Sequence, residues 1–141
     1  MAYFSQDDKK RLSPQIKAVL KKYGVRGSIS VANHSSLVVT LKEGKLDFIG
    51  TANKRNSKYA ERNNQYNHQI KDYYQVNPYY CADWARDVNE NEIANFFEEL
   101  VAAMKGAGWY DNSDAQIDYF DTAYYIDINV GKYNKPYNFV G

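Results

Sequence analysis

The densest run of groups able to do chemistry is Lys54, Arg55, Lys58 and Arg62, threaded with Tyr59 and Tyr66. Cations beside planar rings are what single-stranded nucleic acid needs, because phosphates require charge and bases require stacking surfaces. On a helix, Lys54, Lys58 and Arg62 recur every four residues and flank Tyr59, Tyr66 and Tyr73. Lys132, Tyr133, Lys135 and Tyr137 repeat the same composition near the C-terminus. The competing reading is plain: the tyrosines pack inward and the lysines remain solvated.

Asp111, Asp114, Asp118, Asp121 and Asp127 form an acidic series of oxygen donors suited to Ca²⁺ or Mg²⁺. Their spacing lacks the sharp-turn glycine and the closing bidentate glutamate of an EF-hand. Aspartates in turns also bond their own backbone. No metal site is expected, and Asp111, Asp114, Asp118 and Asp121 are read as an acidic surface for a partner. His34 and His68 stand in no metal-ligand spacing, and there is no Cys-x-x-Cys. Cys81, beside Tyr79, Tyr80 and Trp84, reads as a small buried hydrophobe rather than a nucleophile. Neither a phosphate-cradling Gly-x-x-x-x-Gly-Lys-Ser/Thr loop nor a Gly-x-Gly-x-x-Gly turn occurs. With no nucleophile, base and orienter to name together, the expectation is a protein without enzymatic activity or cofactor.

These residues belong to a chain of 141 residues and 16.3 kDa, long enough for one core, so a single domain over residues 1–141 is expected. Hydrophobic residues are 44% and charged residues 25%, which excludes a disordered or disulfide-scaffold chain. Usage departs from average in tyrosine (14) and asparagine (14). Several tyrosines must remain partly exposed, which suits a protein partner or self-association into a homo-oligomer. Net charge is +1, but it is unevenly spread. Residues 1–72 hold 14 Lys/Arg against 6 Asp/Glu, and residues 73–141 hold 4 against 11. Such asymmetry marks either a polyanion-binding face or two halves that complement each other on packing. One cysteine, no apolar run of bilayer length and an N-terminus unlike a signal peptide point to a cytoplasmic protein with no membrane partner.

The pattern of elements is α+β. Ser5 with Asp8 forms a capping box, Ser13-Pro14 is a second start signal, and Leu12, Ile16, Val19, Leu20 and Tyr23 recur at helical spacing up to Gly24. Residues 28–32 and 37–41 alternate as strands about a turn at 33–36, and Leu46–Ile49 extends the sheet as a third antiparallel strand. Residues 51–72 are read as a helix or an ordered loop, with Ser57 as a possible cap. Residues 76–80 form a short extended piece. Residues 90–105 form a helix capped by Asn89, with a stripe of Ile93, Phe96, Phe97, Leu100, Val101 and Met104. Residues 122–130 alternate as a half-buried strand, and residues 132–137 form an exposed tail or final edge. The expected architecture is a small antiparallel sheet packed against two main helices.

The stretches Trp109-Tyr-Asp-Asn-Ser-Asp114, Asp118-Tyr-Phe-Asp121 and Gly131-Lys-Tyr-Asn-Lys-Pro-Tyr137 resemble small uncharacterised proteins of phages and plasmids. The opening Ile16-Lys-Ala-Val-Leu-Lys-Lys22, with Ser28-Ile-Ser-Val31 and the Ser-Leu-Val-Val strand, is similar to one of the large-polyvalent-protein-associated domains of mobile elements. The resemblance implies a phage or mobile-element accessory protein in the host cytoplasm and carries over no catalytic residue. Such a protein binds and inhibits a host macromolecule, a protein or protein–nucleic-acid complex such as a defence complex, in the manner of an anti-CRISPR. The alternative is a single-stranded nucleic-acid-binding module built on the basic and tyrosine-rich surface.

Overall fold

The computed structural model describes residues 2–63, 73–106, 109–110, 122–132 and 135–140. In chain order it contains α1 (Gln6–Lys22), β1 (Val25–Ala32), β2 (Ser36–Gly44), α2 (Phe48–Asn63), β3 (Tyr74–Val76), α3 (Cys81–Arg86), α4 (Asn91–Lys105), β4 (Tyr125–Val130) and β5 (Asn138–Phe139). The fold is α+β, as the patterning indicates.

α1 starts where its capping box places it. The Ser5 hydroxyl accepts from the Asp8 amide at 3.1 Å, and the Asp8 carboxylate accepts from the Ser5 amide at 3.0 Å. Pro14 therefore lies inside the helix and does not begin it. The Ser13 hydroxyl donates to the Lys9 carbonyl at 2.6 Å in that turn. Gly24, at φ +67°, ends the helix in the left-handed conformation that glycine adopts without strain.

The sheet is mixed rather than wholly antiparallel. β1 and β2 form the expected hairpin, Ala32 facing Ser36, and β3 pairs antiparallel with β4. β4, however, runs parallel to β2, from Ser36 opposite Tyr125 to Leu41 opposite Val130. β5 then continues beside β2 at Glu43 and Gly44, giving the order β1-β2-β4-β3.

Two further expectations are corrected. Leu46–Ile49 is not a third strand: the Asp47 side chain accepts from the Gly50 amide at 2.9 Å, so Asp47 caps a helix that begins at Phe48. Ser57 consequently lies within α2. A Cβ on Gly50 would meet the Asp47 carboxylate at 2.1 Å, so this cap needs a glycine. Asn89 does not cap α4 either. It takes φ +63° in the turn that closes α3, where the Glu90 amide bonds the Ala85 carbonyl at 3.0 Å, and Glu90 becomes the residue preceding α4.

The core lies between the inner face of the sheet and helices α1 and α4. Leu12, Ile16 and Leu20 of α1 and Phe96, Phe97, Leu100 and Met104 of α4 meet Leu37, Val39, Leu41, Ile126, Ile128 and Val130. Phe48 centres an aromatic cluster, 5.3 Å from Phe96, 5.4 Å from Phe97 and 5.1 Å from Tyr137. Tyr137 is buried and donates to the Leu46 carbonyl at 2.7 Å. Lys132, Lys135 and Pro136 are exposed as expected, but Tyr137 itself is anchored in the core and is no stacking platform. No described helix is long and apolar enough to cross a membrane.

Candidate functional site

Lys54, Arg55 and Lys58 lie on α2, and the acidic half of the chain meets two of them. Lys54 Nζ is 2.9 Å from Glu90, and Lys58 Nζ is 3.0 Å from the Asp87 carboxylate and 2.8 Å from its carbonyl. The Arg55 guanidinium stands 5.5 Å from the centroid of Trp84. Lys54 and Lys58 of the densest basic run therefore meet carboxylates of the turn between α3 and α4, so two of its four cations serve packing between the two halves. Tyr59 and Arg62 belong to the same helix, but their side chains lie outside the described residues, as do Tyr66, Tyr133 and the acidic set Asp111, Asp114, Asp118 and Asp121. Lys132 and Lys135 bond each other through their backbones at 2.9 Å in both directions, in a tight return before the buried Tyr137.

Cations without a carboxylate partner among the described residues gather elsewhere. Lys9, Lys10, Lys17 and Lys21 of α1 are in no ion pair, whereas Lys22 meets Glu99 at 2.6 Å. Glu99 also accepts from the Tyr23 hydroxyl, a bond that pushes the phenol up to about 12.

Five exposed tyrosines gather at one end of the sheet, while Tyr73, next to the Tyr74–Val130 pair, and Phe139, opposite Gly44, are exposed at the other. Tyr3, Tyr79, Tyr80, Tyr110 and Tyr125 are each 44–65% exposed. Tyr3 donates its amide to the Ala123 carbonyl at 3.0 Å, and the Ala123 amide donates to the Tyr110 carbonyl at 2.9 Å. Two residues on, Tyr125 opens β4 and shares a cleft of about 540 Å³ with Tyr79. Residues from four elements form that cleft: Tyr125, Ile126 and Asp127 of β4, Ser36 of β2, the end of β3 with Asn77-Pro78-Tyr79 after it, and Lys105 with Trp109 at the end of α4. Tyr80 lines a smaller neighbouring cavity that shares Gln75, Val76 and Asn77 with it.

The cleft is held from beneath. The Trp109 indole donates to the Tyr124 carbonyl at 2.8 Å, and Lys105 Nζ lies 4.4 Å from the indole centroid. The Tyr124 hydroxyl reaches the last carbonyls of α4, Met104 at 2.5 Å and Lys105 at 2.6 Å. Its ring lies 4.5 Å from Phe4. A buried tyrosine thus ties the helix end, the N-terminal segment and β4 together under the exposed ones. Burial pushes the Tyr124 hydroxyl up to about 12, so it stays a neutral donor.

Asp127 is the one acidic series member whose place is described. It is half-buried on the face of β4 opposite the core, and burial raises its carboxyl above the ordinary value. Among the described residues no group of three or more His, Cys, Asp or Glu could hold a metal ion. Cys81 is buried, and burial pushes its thiol up to about 11, which leaves little thiolate at neutral pH. No protein-family model, curated protein or solved structure matches this chain.

Sequence reasoning anticipated exposed tyrosines but did not locate the cleft. Its residues are spread from Ser36 to Asp127, and of the runs that composition made conspicuous only the acidic series reaches it, through Asp127.

Proposed function

We propose that this chain is a non-catalytic accessory protein that binds a host macromolecule and inhibits it by steric blockade, its docking surface being the tyrosine-rimmed cleft. The observation that carries this reading is the gathering of Tyr3, Tyr79, Tyr80, Tyr110 and Tyr125 at one end of the sheet. Exposed aromatics grouped around a concavity are the mark of a protein-binding surface. Tyrosine gives large contact area at small entropy cost, with a hydroxyl left to bond polar groups. The rigid base of Tyr124, Trp109 and Phe4 supports the same conclusion, because a preordered surface loses less entropy on binding. The resemblance to small phage and plasmid proteins supports a host complex, such as a defence assembly, as the target.

The test is capture from a nuclease-treated bacterial lysate with the intact chain and with a Tyr79→Ala/Tyr125→Ala variant, followed by an activity assay of whatever is captured. The expected result is one stoichiometric protein complex that the intact chain inhibits and the variant does not retain. Equal capture by both proteins overturns the reading. Partners captured only when nuclease is omitted move the function to nucleic acid, and then to the unpaired lysines of α1.

A further inference from the structure

We infer that the cleft seats an extended, basic segment of the partner protein, adding its backbone beside β4 and placing a lysine or arginine side chain against Asp127. The inference rests on the docking role of the cleft and names the chemistry it recognises.

β3 covers only part of its neighbour. It pairs with Ile128–Val130, after which the chain leaves at Asn77, so among the described residues β4 has no ladder partner on that side over Tyr125–Asp127. The Tyr125 amide donates to the Ser35 carbonyl at 2.8 Å, towards β2. Alternation along the strand turns the Ile126 N–H and C=O the other way, towards the cleft. An open strand edge at the bottom of a groove recognises an extended main chain.

The side chains say which main chain. Asp127 lines the cleft and forms no hydrogen bond or ion pair. A half-buried carboxylate with no partner is a cost to the fold that an incoming cation relieves. Tyr125, 49% exposed, supplies a ring face at the same cleft, which attracts a guanidinium or ammonium. Trp109 is already occupied by Lys105, and that cation turns a second one away from the indole towards Asp127. An acidic segment would instead meet Asp127 with like charge.

The experiment uses the full chain, ¹⁵N-labelled and titrated with acetyl-Gly-Arg-Gly-amide and, separately, acetyl-Gly-Glu-Gly-amide. With the arginine peptide the expected shifts fall on the amides of Ile126 and Asp127 and on the Trp109 indole, and the glutamate peptide leaves them in place. Asp127→Asn should weaken the arginine peptide about tenfold, the effect of removing a charge-assisted bond. Equal response to both peptides, no response to either, or unchanged affinity in Asp127→Asn overturns the inference. A partner complex lost by Tyr79→Ala/Tyr125→Ala but retained in full by Asp127→Asn overturns this inference alone. Arginine-peptide binding at the cleft, with no protein captured from lysate, overturns the docking role and leaves the cation seat standing.

Discussion

Reversing the charge of Lys54 and Lys58 tests whether the basic run of α2 serves the fold or a polyanion. In the double variant Lys54→Glu/Lys58→Glu, the contacts to Glu90 at 2.9 Å and Asp87 at 3.0 Å are lost, and each becomes a like-charge pair. The lysine side chains are 53% and 42% exposed and their partners 37% and 35%, so water screens both pairs. Exposed pairs contribute about 0.2–1 kcal/mol each, and repulsion adds a similar amount, so the double reversal should cost about 1–3 kcal/mol. For a domain of this size that lowers Tm by roughly 3–10 °C. The assay is thermal unfolding by circular dichroism, with the quadruple variant that also carries Asp87→Lys and Glu90→Lys. The quadruple variant should recover most of the loss, and 1 M salt should shrink the difference between the variants. Fluorescence anisotropy with a single-stranded oligonucleotide should read the same for the intact chain and the quadruple variant. A double variant as stable as the intact chain that has lost oligonucleotide binding would refute the structural role of these lysines.

Phe48→Ala removes the centre of the aromatic cluster from a fully buried position and should cost about 3–5 kcal/mol in urea unfolding; a loss below 1 kcal/mol would mean that Phe48 does not centre the core. Asp127→Asn should raise Tm at pH 7. The folded carboxyl is shifted upward, so the aspartate's unfavourable effect appears as pH rises through the folded value. Both proteins should therefore melt alike below the ordinary carboxylate value of 3.8, and a gap that widens in acid would contradict the assignment. Cys81 should resist iodoacetamide at pH 8 until denaturant is added, and rapid labelling of the folded chain would show that the thiol is neither buried nor raised.

Elements with a strong period or a paired cap were legible in the sequence. The Ser5–Asp8 box, the hairpin around residues 33–36 and the apolar stripe of α4 form as patterned, and the alternation over residues 122–130 does so from Tyr125 onward. The start of α2 was not, because Leu46–Ile49 is too short for periodicity to separate strand from helix, and Asp47 decides the matter by capping. Asn89 illustrates a second limit: the same residue type serves as a cap or as a left-handed turn, and only the neighbouring helix end selects between them. The direction of β4 relative to β2 depends on the path of the intervening chain, which no local pattern encodes. The cleft was hidden for the same reason. Its Asp127 stood out in sequence as one of several acids, and it is the early end of β3 that leaves this one beside an open edge.

The parallel pairing of β2 with β4 has a consequence for how the molecule comes into being. Leu37, Val39 and Leu41 are made first, and the strand that completes their sheet, Tyr125–Val130, is translated more than 80 residues later. At roughly 5–20 residues per second, several seconds separate the two strands on the ribosome. During that interval the α1–hairpin unit can form from local contacts, while the inner edge of β2 stays unpaired. Closing so distant a contact is an entropic barrier that local helices and hairpins do not face, so the central pairing should govern the folding rate. Loss of Tyr125–Val130 would therefore remove the middle of the sheet rather than trim its margin.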